Sequence, residues 1–378
     1  MANPWVSVQK LAVVPTFNTQ FDTGPVPSDW DSLVMQRVVY DPDPMTGADR
    51  SLRSYLGAIS YGLATLDAKL FPRAFSDGPG VIEAAWQSLP EGHGYPYVLC
   101  VIPRDDGGKH RGGFFTTVNK NDVNAVARVA MFSGAAVLQQ RQIMGVWAME
   151  VLHAIARLPD LYAKETNPYP DPPIDDYDNM CFNAGTHSCA YLKRAAGWLP
   201  GGAMVSHKGT GQNYSLHAIG MSPPPPGRVS AVSIRSRTSN QSFIVEARLK
   251  VDLYEKGFAP LTTGKLEFRG LKEEGVIVYE VTTPARLEQV KLIRSGLQVG
   301  QSYSNSAEGF TIRVTAAING GMSIRITRTP DPRCADISEE IAEINKDLAE
   351  PGLDVDTRKG LLKQRGKLKD EAKRLGCP

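Results

Sequence analysis

Glu150 and His153 are the two residues whose types and spacing most directly indicate chemistry. They lie three positions apart, so on a helix their side chains can converge. A helix that carries His-Glu-x-x-His binds zinc through its two imidazoles, and the carboxylate between them activates the bound water. The last four positions of this pattern are present, but Met149 occupies the first. A neutral thioether is a poor ligand for Zn²⁺, so the segment predicts such a helix with a defective metal site.

The element that must position these residues is predicted to be an amphipathic helix over residues 139–158, ended by Pro159. Its apolar residues recur at helical spacing: Ile143, Val146, Trp147, Val151, Ala154, Ile155 and Leu158. Around it the patterns predict strands at 7–16, 63–71 and 95–103 and helices at 53–62, 81–89 and 188–196. A loop is expected between the first strand and residue 53, and residues 124–130 fit either helix or strand.

The C-terminal half of the chain changes character after Ser222–Gly227, which contains four consecutive prolines and is predicted to be a linker. Alternating runs at 229–235, 242–251, 275–281, 309–316 and 322–328 predict a small sandwich or barrel. From Cys334 the spacing predicts a helical hairpin whose acidic first helix complements its basic second helix. The predicted domains are 1–222, 228–330 and 334–378.

Five cysteines leave two interpretations open. Cys334 and Cys377 bracket the hairpin, and Cys181 and Cys189 bracket a short polar loop, so two disulfides and a buried Cys100 thiol fit the spacing. Five thiols in a cytosolic protein fit it as well. The bracketing favours an extracellular or particle-associated location, although no signal peptide is visible.

The overall charge and hydropathy limit the expected partners. The formal net charge is +2, which gives no reason to expect nucleic acid. No apolar run is long enough for a membrane span. A protein partner or self-assembly is therefore expected, through the β-rich region, the cleft or the hairpin.

Several blocks of residues 1–330 resemble, in the same order, the immune-inhibitor-A-like (M6-type) zinc metallopeptidases. These blocks are Tyr55–Gly62, Glu150–His153 with Leu158–Tyr162, Asn179–Leu199, Phe243–Arg248 and Gly275–Tyr279. The resemblance implies an α+β, zincin-like domain in which the central helix crosses a mixed sheet. It also implies that Glu150 is the general base and that His153 and Asp160 are metal ligands.

The chain departs from the family pattern around the implied metal site. Met149 replaces the first His, and Ala156 replaces the glycine of the turn after the second. The interval from His153 to Asp160 is one residue longer than usual, which makes Asp160 a doubtful ligand, and Arg157 adds a positive charge. Loss of one of three ligands weakens zinc binding by about several kcal/mol. His187 is a further candidate to replace the missing ligand.

Two functions remain open from the sequence. The first is a catalytically inactive metallopeptidase-like protein, without a cofactor, that is retained for binding or assembly. The second is an active zinc endopeptidase that uses Glu150 as base and holds zinc through His153, Asp160 and an unidentified third ligand. The residue at position 149 separates them, because a working zinc site is not expected to keep methionine there.

Overall fold

The computed structural model describes residues 3–18, 28, 30–39, 51–76, 81–102, 117–118, 127–133, 144–161, 174–182, 185–257, 270–282, 289–375 and 377. The chain divides into two compact units. Unit 1 comprises Met1–Gly201, Ile219–Pro223 and Arg248–Glu273. Unit 2 comprises Gly202–Ala218, Pro224–Ala247 and Glu274–Pro378.

Unit 1 mixes helices with a sheet. Its strands are β1 (Val8–Asn18), β2 (Thr65–Leu70), β3 (Ala74–Ser76), β4 (Tyr97–Ile102), β5 (Thr117–Val118) and β6 (Ala127–Ser133). Its helices are α1 (Trp30–Val39), α2 (Leu52–Ile59), α3 (Val81–Gln87), α4 (Met144–Ala156), α5 (Asn179–Phe182), α6 (Ala190–Ala195) and α7 (Leu253–Lys256). The predicted α+β class is confirmed.

The sheet of unit 1 has the strand order β2-β1-β4-β6-β5, and β3 also pairs with β1. The pairs β1–β2, β1–β4 and β4–β6 are parallel, and β5–β6 is antiparallel. Apolar runs in β1 and β4 are buried, as expected for parallel strands covered on both faces. α3 packs against β1 and β4, and α4 contacts β4 and β6.

Three sequence expectations for unit 1 change in detail. The region predicted as a loop after the first strand contains α1. The ambiguous segment near residue 127 is strand β6. The central helix ends at Ala156 rather than Leu158, and residues 139–143 of its predicted span lie outside the described residues.

Unit 2 is built mainly from two sheets. Its strands are β7 (Met204–Ser206), β8 (Gly211–His217), β9 (Ala231–Arg235), β10 (Ser242–Arg248), β11 (Gly275–Thr282), β12 (Gln289–Leu297), β13 (Ser302–Asn305), β14 (Phe310–Ile318) and β15 (Gly321–Arg328). The last residue of β10, Arg248, is assigned to unit 1. One sheet has the order β12-β11-β10-β9-β7 and the other β13-β14-β15-β8. One side chain from each sheet meets where the ring centroids of Phe243 and Phe310 lie 5.1 Å apart.

The last element of unit 2 is the predicted helical hairpin. It consists of α8 (Arg333–Leu348) and α9 (Val355–Leu375). A disulfide joins Cys334 to Cys377, which confirms that predicted pair. Within the described part of the chain, no helix is both long and apolar enough to span a bilayer.

Candidate functional site

Every described side chain of helix α4 is buried. Trp147, Ala148, Val151 and Leu152 are fully or almost fully buried, as expected for an apolar helix in a core. Glu150 is only 3% exposed, so the face expected to be polar is also enclosed. α4 contacts α2, α5, β4 and β6, which enclose it.

The structure brings His153 and Asp160 together. His153 Nε2 lies 2.7 Å from Asp160 Oδ1, and its Nδ1 lies 2.6 Å from the carbonyl oxygen of Leu158. The ring therefore lies between a carboxylate oxygen on one side and a backbone carbonyl oxygen on the other. The imidazole thus holds the chain that follows α4 back against the helix.

The turn that makes this contact uses an unusual backbone conformation. Arg157 directly follows α4 and has φ 55°, in the left-handed region that favours glycine. The left-handed residue therefore lies in the turn between α4 and Asp160, directly after Ala156.

Of the three positions considered for a metal site, His153 and Asp160 carry side chains that zinc prefers, and Met149 does not. The contact of His153 Nδ1 with a backbone carbonyl is the usual orientation of a histidine ligand, whereas Nε2, the nitrogen that would bind a metal, faces Asp160. Met149 is 4% exposed and contributes only a thioether. No group of three or more His, Cys, Asp or Glu side chains that could hold a metal occurs among the described residues.

His187 lies in a different buried cluster of unit 1, where it binds Asp252 and Lys193. Its Nε2 is 2.7 Å from Asp252 Oδ2, and its Nδ1 is 3.1 Å from Lys193 Nζ. An ammonium group can only donate, so Nδ1 accepts from Lys193 and Nε2–H donates to Asp252. Burial, followed by the charge of Lys193, lowers the pKa of His187 to about 4.

Lys193 is fully buried and is held by three kinds of contact. Besides His187, its ammonium donates to the carbonyl oxygen of Ile59. It also lies 3.9 Å from the ring centroid of Tyr61, a cation–π distance. Tyr61 has φ 59°, and its hydroxyl donates to the carbonyl oxygen of Ile219. These contacts fix α6 to the end of α2 and to the residues that follow it.

Arg248 and Glu255 continue the same buried cluster. Arg248 Nη2 lies 2.7 Å from Glu255 Oε1 and 3.0 Å from the carbonyl oxygen of His187, and Nη1 donates to the carbonyl oxygen of Tyr177. The amide of His187 donates to Glu255 Oε1 at 3.2 Å. Burial raises the pKa of Glu255 to about 7 despite the guanidinium beside it. These contacts fix the loop that carries His187 to the segment around α7.

Cys181 and Cys189 do not form the disulfide predicted for them. Both are described and buried, and no bond joins their sulfur atoms. Cys181 Sγ lies 3.4 Å from the carbonyl oxygen of Leu161, and the Cys189 amide donates to Asp178 Oδ2 at 2.7 Å. Asp178 Oδ1 also accepts from the Met180 amide, so a carboxylate ties the two segments together in place of a disulfide.

Unit 2 contains an open groove of about 670 Å³ that is remote in sequence from α4. Its polar lining residues are Ser206, Lys208, Gln212, Asn213, Tyr214, Ser215 and Ser323. None of the candidate catalytic, metal-binding or disulfide residues from the sequence lines it. No motif in the sequence indicated this groove, because its walls come from strands that pair only in the folded chain.

Comparison with known proteins adds no identification. No protein-family model matches the chain, and no curated protein matches it.

Proposed function

We propose that this protein is a catalytically inactive relative of the M6-type metallopeptidases, with a zincin-like unit 1, and that it serves as a binding or assembly component. One observation carries the proposal: His153 Nε2 lies 2.7 Å from Asp160, in direct hydrogen-bond contact, beside a buried Met149. The two side chains implied as metal ligands therefore bind each other.

The distance between these two atoms argues against a shared metal ion. Zinc-to-nitrogen and zinc-to-oxygen bonds of about 2.0–2.2 Å at tetrahedral angles separate the two ligand atoms by roughly 3.3 Å. A separation of 2.7 Å is that of a charge-assisted hydrogen bond. To bind zinc, His153 would have to lose its hydrogen bond to Asp160. The site would still lack the imidazole that Met149 replaces.

The surroundings of α4 support the family resemblance within this proposal. The amide of Leu161 donates to the carbonyl oxygen of Met180 at 2.9 Å. The methionine-containing turn of α5 therefore lies against the segment that follows His153, as the order of the sequence blocks implies. Met180 itself is fully buried.

Metal content tests the proposal directly. Purified wild-type protein, Met149→His and Met149→Leu would be measured by mass spectrometry for bound zinc. We expect no stoichiometric zinc in wild type or in Met149→Leu, and about one equivalent in Met149→His, because a second imidazole would stand one turn from His153. Met149→Leu controls for repacking of the buried position without adding a ligand. Stoichiometric zinc in wild type would exclude the inactive scaffold.

An active zinc endopeptidase is the second candidate. It is favoured by the convergence of His153 and Asp160 and by the presence of Glu150 one helical turn before His153. In that case wild-type protein would cleave unstructured peptides, and chelation of zinc would abolish cleavage. Glu150→Gln would lower kcat by at least about 100-fold while leaving the zinc content unchanged, because it removes only the general base.

A further inference from the structure

Strands β7 and β8 flank the open groove of unit 2. β7 is the last strand of one sheet and β8 the last strand of the other, so each has a single neighbouring strand among those described. The lining of the groove includes Ser206 of β7 and Gln212, Asn213 and Ser215 of β8. An edge strand presents backbone N–H and C=O groups that can pair with another chain. The groove is therefore an opening beside two sheet edges.

One residue already pairs with the outer edge of β8. The Val229 amide donates to the Ser215 carbonyl oxygen at 3.0 Å, and the His217 amide donates to the Val229 carbonyl oxygen at 2.8 Å. Backbone groups alternate between the two sides of a strand, so those of Gly211 and Asn213 point to the side that Val229 occupies. Among the described residues, none binds the backbone of Gly211 or Asn213 on that side. Another chain can therefore continue the pairing from Ser215 back to Gly211, over roughly 14 Å.

This part of β8 is both exposed and held in place. Gly211, Gln212 and Asn213 are exposed, and so are residues 208–210 before them. On the inner side of the strand, the Tyr214 hydroxyl lies 2.9 Å from His207 Nδ1, which fixes β8 to the end of β7. A rigid edge loses little conformational entropy when a partner binds, so it is suited to act as a template for an added strand.

The segments that build this region carry charge of one sign. Residues 202–218, 224–245 and 309–330 include β7, β8, β9, β14 and β15, and they contain no Asp or Glu. Their cationic residues are Lys208, Arg228, Arg235, Arg237, Arg313, Arg325 and Arg328. The acidic residues that border these segments in sequence are all buried: Glu246, Glu308 and Asp331. The region therefore attracts anionic partners.

Two of these arginines lie directly opposite each other. Arg313 on β14 pairs with Arg325 on β15, and both are exposed. Like charges in this position destabilise an antiparallel pair. Arg325 also pairs with Asn213, and its Nη2 lies 3.7 Å from the position that a Cβ atom would take on Gly211. The guanidinium therefore lies over β8 beside its open edge, where an anionic side chain on an added strand would offset the repulsion.

We propose that the open edge of β8 binds an extended acidic peptide segment of a partner protein, which adds a strand to the sheet and fills the groove. The edge offers both N–H and C=O groups, which a peptide backbone matches, whereas a phosphate or sulfate polymer supplies acceptors without the matching donors. Side chains alternate along a strand, so an acidic residue at every second position faces Arg325. The inference rests on the binding role proposed above and names its partner class.

Peptide selection on the full-length protein tests the partner class. Random peptides displayed on phage would be selected for binding, and the enriched sequences would be synthesised and measured by fluorescence anisotropy. We expect Asp or Glu at alternate positions and an affinity that decreases as salt is raised. Methylation of alternate backbone nitrogens, in each of the two registers, separates strand pairing from charge attraction. One register should lose at least about tenfold in affinity, because it removes the N–H groups that face β8.

Two matched pairs of variants test the assigned residues. Asn213→Pro removes an outward N–H without breaking the pairing of β8 with β15, and Asn213→Ala keeps that N–H. We expect at least about tenfold weaker peptide binding from Asn213→Pro alone. Arg325→Gln should weaken binding by roughly three- to tenfold. Arg294→Gln should leave it unchanged, because Arg294 is exposed on β12, at the opposite end of the sheet that contains β7. Circular dichroism would check that each variant is folded.

Several outcomes would overturn the proposal. Selection could enrich no peptides, or only peptides without acidic residues. Equal binding of the parent peptide and both methylated forms would assign the surface to general attraction of anions. A wild-type dimer in light scattering that Asn213→Pro abolishes would make a second copy the occupant. If Asn213→Pro does not fold, the methylated peptides still decide, because they are measured on wild-type protein.

The peptide measurements are independent of the metal site. Failure of the selected peptides would remove the β8 edge as a binding surface and leave the zinc content of wild type unchanged. Stoichiometric zinc in wild type would exclude the inactive scaffold, whatever binds to β8. The two failures are therefore distinguishable.

Discussion

Arg157 ends helix α4 with φ 55°, and its side chain is exposed. A non-glycine residue in this region is destabilised by about 1–2 kcal/mol relative to glycine, which has no Cβ to clash. Glycine loses more conformational entropy on folding, which offsets part of the gain. We therefore expect Arg157→Gly to raise the free energy of unfolding by up to about 1 kcal/mol, measured by urea denaturation.

Arg157→Ala is the matched control for that prediction. It removes the same charge and side chain but keeps the Cβ atom in the left-handed conformation. We expect no stabilisation from it. Equal stabilisation by both variants would assign the effect to the charge and would contradict the explanation from backbone strain.

His187 should make stability depend on pH. The pKa of its imidazole is lowered to about 4 in the folded protein, mainly by burial, against about 6.5 in the unfolded chain. Between these values the unfolded chain binds a proton that the folded protein does not. The stabilisation is therefore complete above pH 6.5 and decreases by about 1.4 kcal/mol for each pH unit as the pH falls towards 4.

The variant His187→Gln isolates this contribution, because it removes the titration but keeps polar atoms near Lys193 and Asp252. The difference in unfolding free energy, wild type minus variant, should decrease as the pH falls from 6.5 to 4. Burial raises the pKa of Asp178 to about 6 and of Glu255 to about 7, so those carboxyl groups act in the opposite direction. They are common to both proteins and largely cancel in the difference. A difference that does not vary with pH would show that His187 titrates normally.

Local spacing made some site residues predictable and left others hidden. Glu150 and His153 are three apart on one helix, so their proximity follows from helical geometry. His187 and Asp252 are 65 residues apart, and neither belongs to a motif that fixes its distance from the other. The spacing of Cys181 and Cys189 was compatible with a disulfide, but the carboxylate of Asp178 between them could not be inferred.

At the scale of elements, substitution of Gly57 and of Gly220 by alanine is expected to change stability in opposite directions. Gly57 lies within α2, and a Cβ there would meet nothing within 4 Å. A Cβ on Gly220 would lie 2.9 Å from Glu255 Cγ and 3.1 Å from Val251 Cγ2. We expect Gly57→Ala to stabilise the protein by about 0.5–1 kcal/mol, since alanine favours a helix interior.

Gly220→Ala should instead destabilise the protein by about 1–3 kcal/mol, because the added methyl group forces the α7 segment away from its buried cluster. Urea denaturation of the two variants beside wild type measures both effects. A neutral Gly220→Ala would show that the α7 segment can shift without loss. That outcome would contradict the close packing of Glu255 against residue 220.

Elements with strong periodicity were predicted, and those without it were missed. The apolar run of β4 and the helical spacing around His153 indicated a buried strand and the central helix. α1 follows a segment rich in Pro, Asp and Gly, and β12 and β13 lie in a region whose alternation is interrupted by polar residues. Pairing with neighbouring strands stabilises such elements, and a single sequence does not show that pairing.

At the scale of the whole molecule, unit 1 is assembled from segments that are distant in sequence. Residues after the proline-rich linker return to it: Arg248 binds Tyr177, Asp252 binds His187, and the rings of Tyr55 and Tyr254 lie 4.9 Å apart. The domain boundary predicted at residue 222 stays a prediction, and these contacts make it testable.

A fragment of residues 1–222 should not fold as an independent domain. It would keep His187, Lys193 and Asp178 but lose Arg248 and the α7 segment, which leaves buried polar groups without their partners. Each buried polar group without a partner destabilises the fragment by about 1–3 kcal/mol. The fragment loses several such partners at once, and their sum is comparable to the total stability of a typical domain, about 5–15 kcal/mol.

A fragment of residues 1–332 is the control. It lacks only the hairpin, whose apolar residues pack on each other, and it should unfold cooperatively in urea. Cooperative unfolding of the 1–222 fragment would instead establish it as a domain and would show that the returning segment is dispensable.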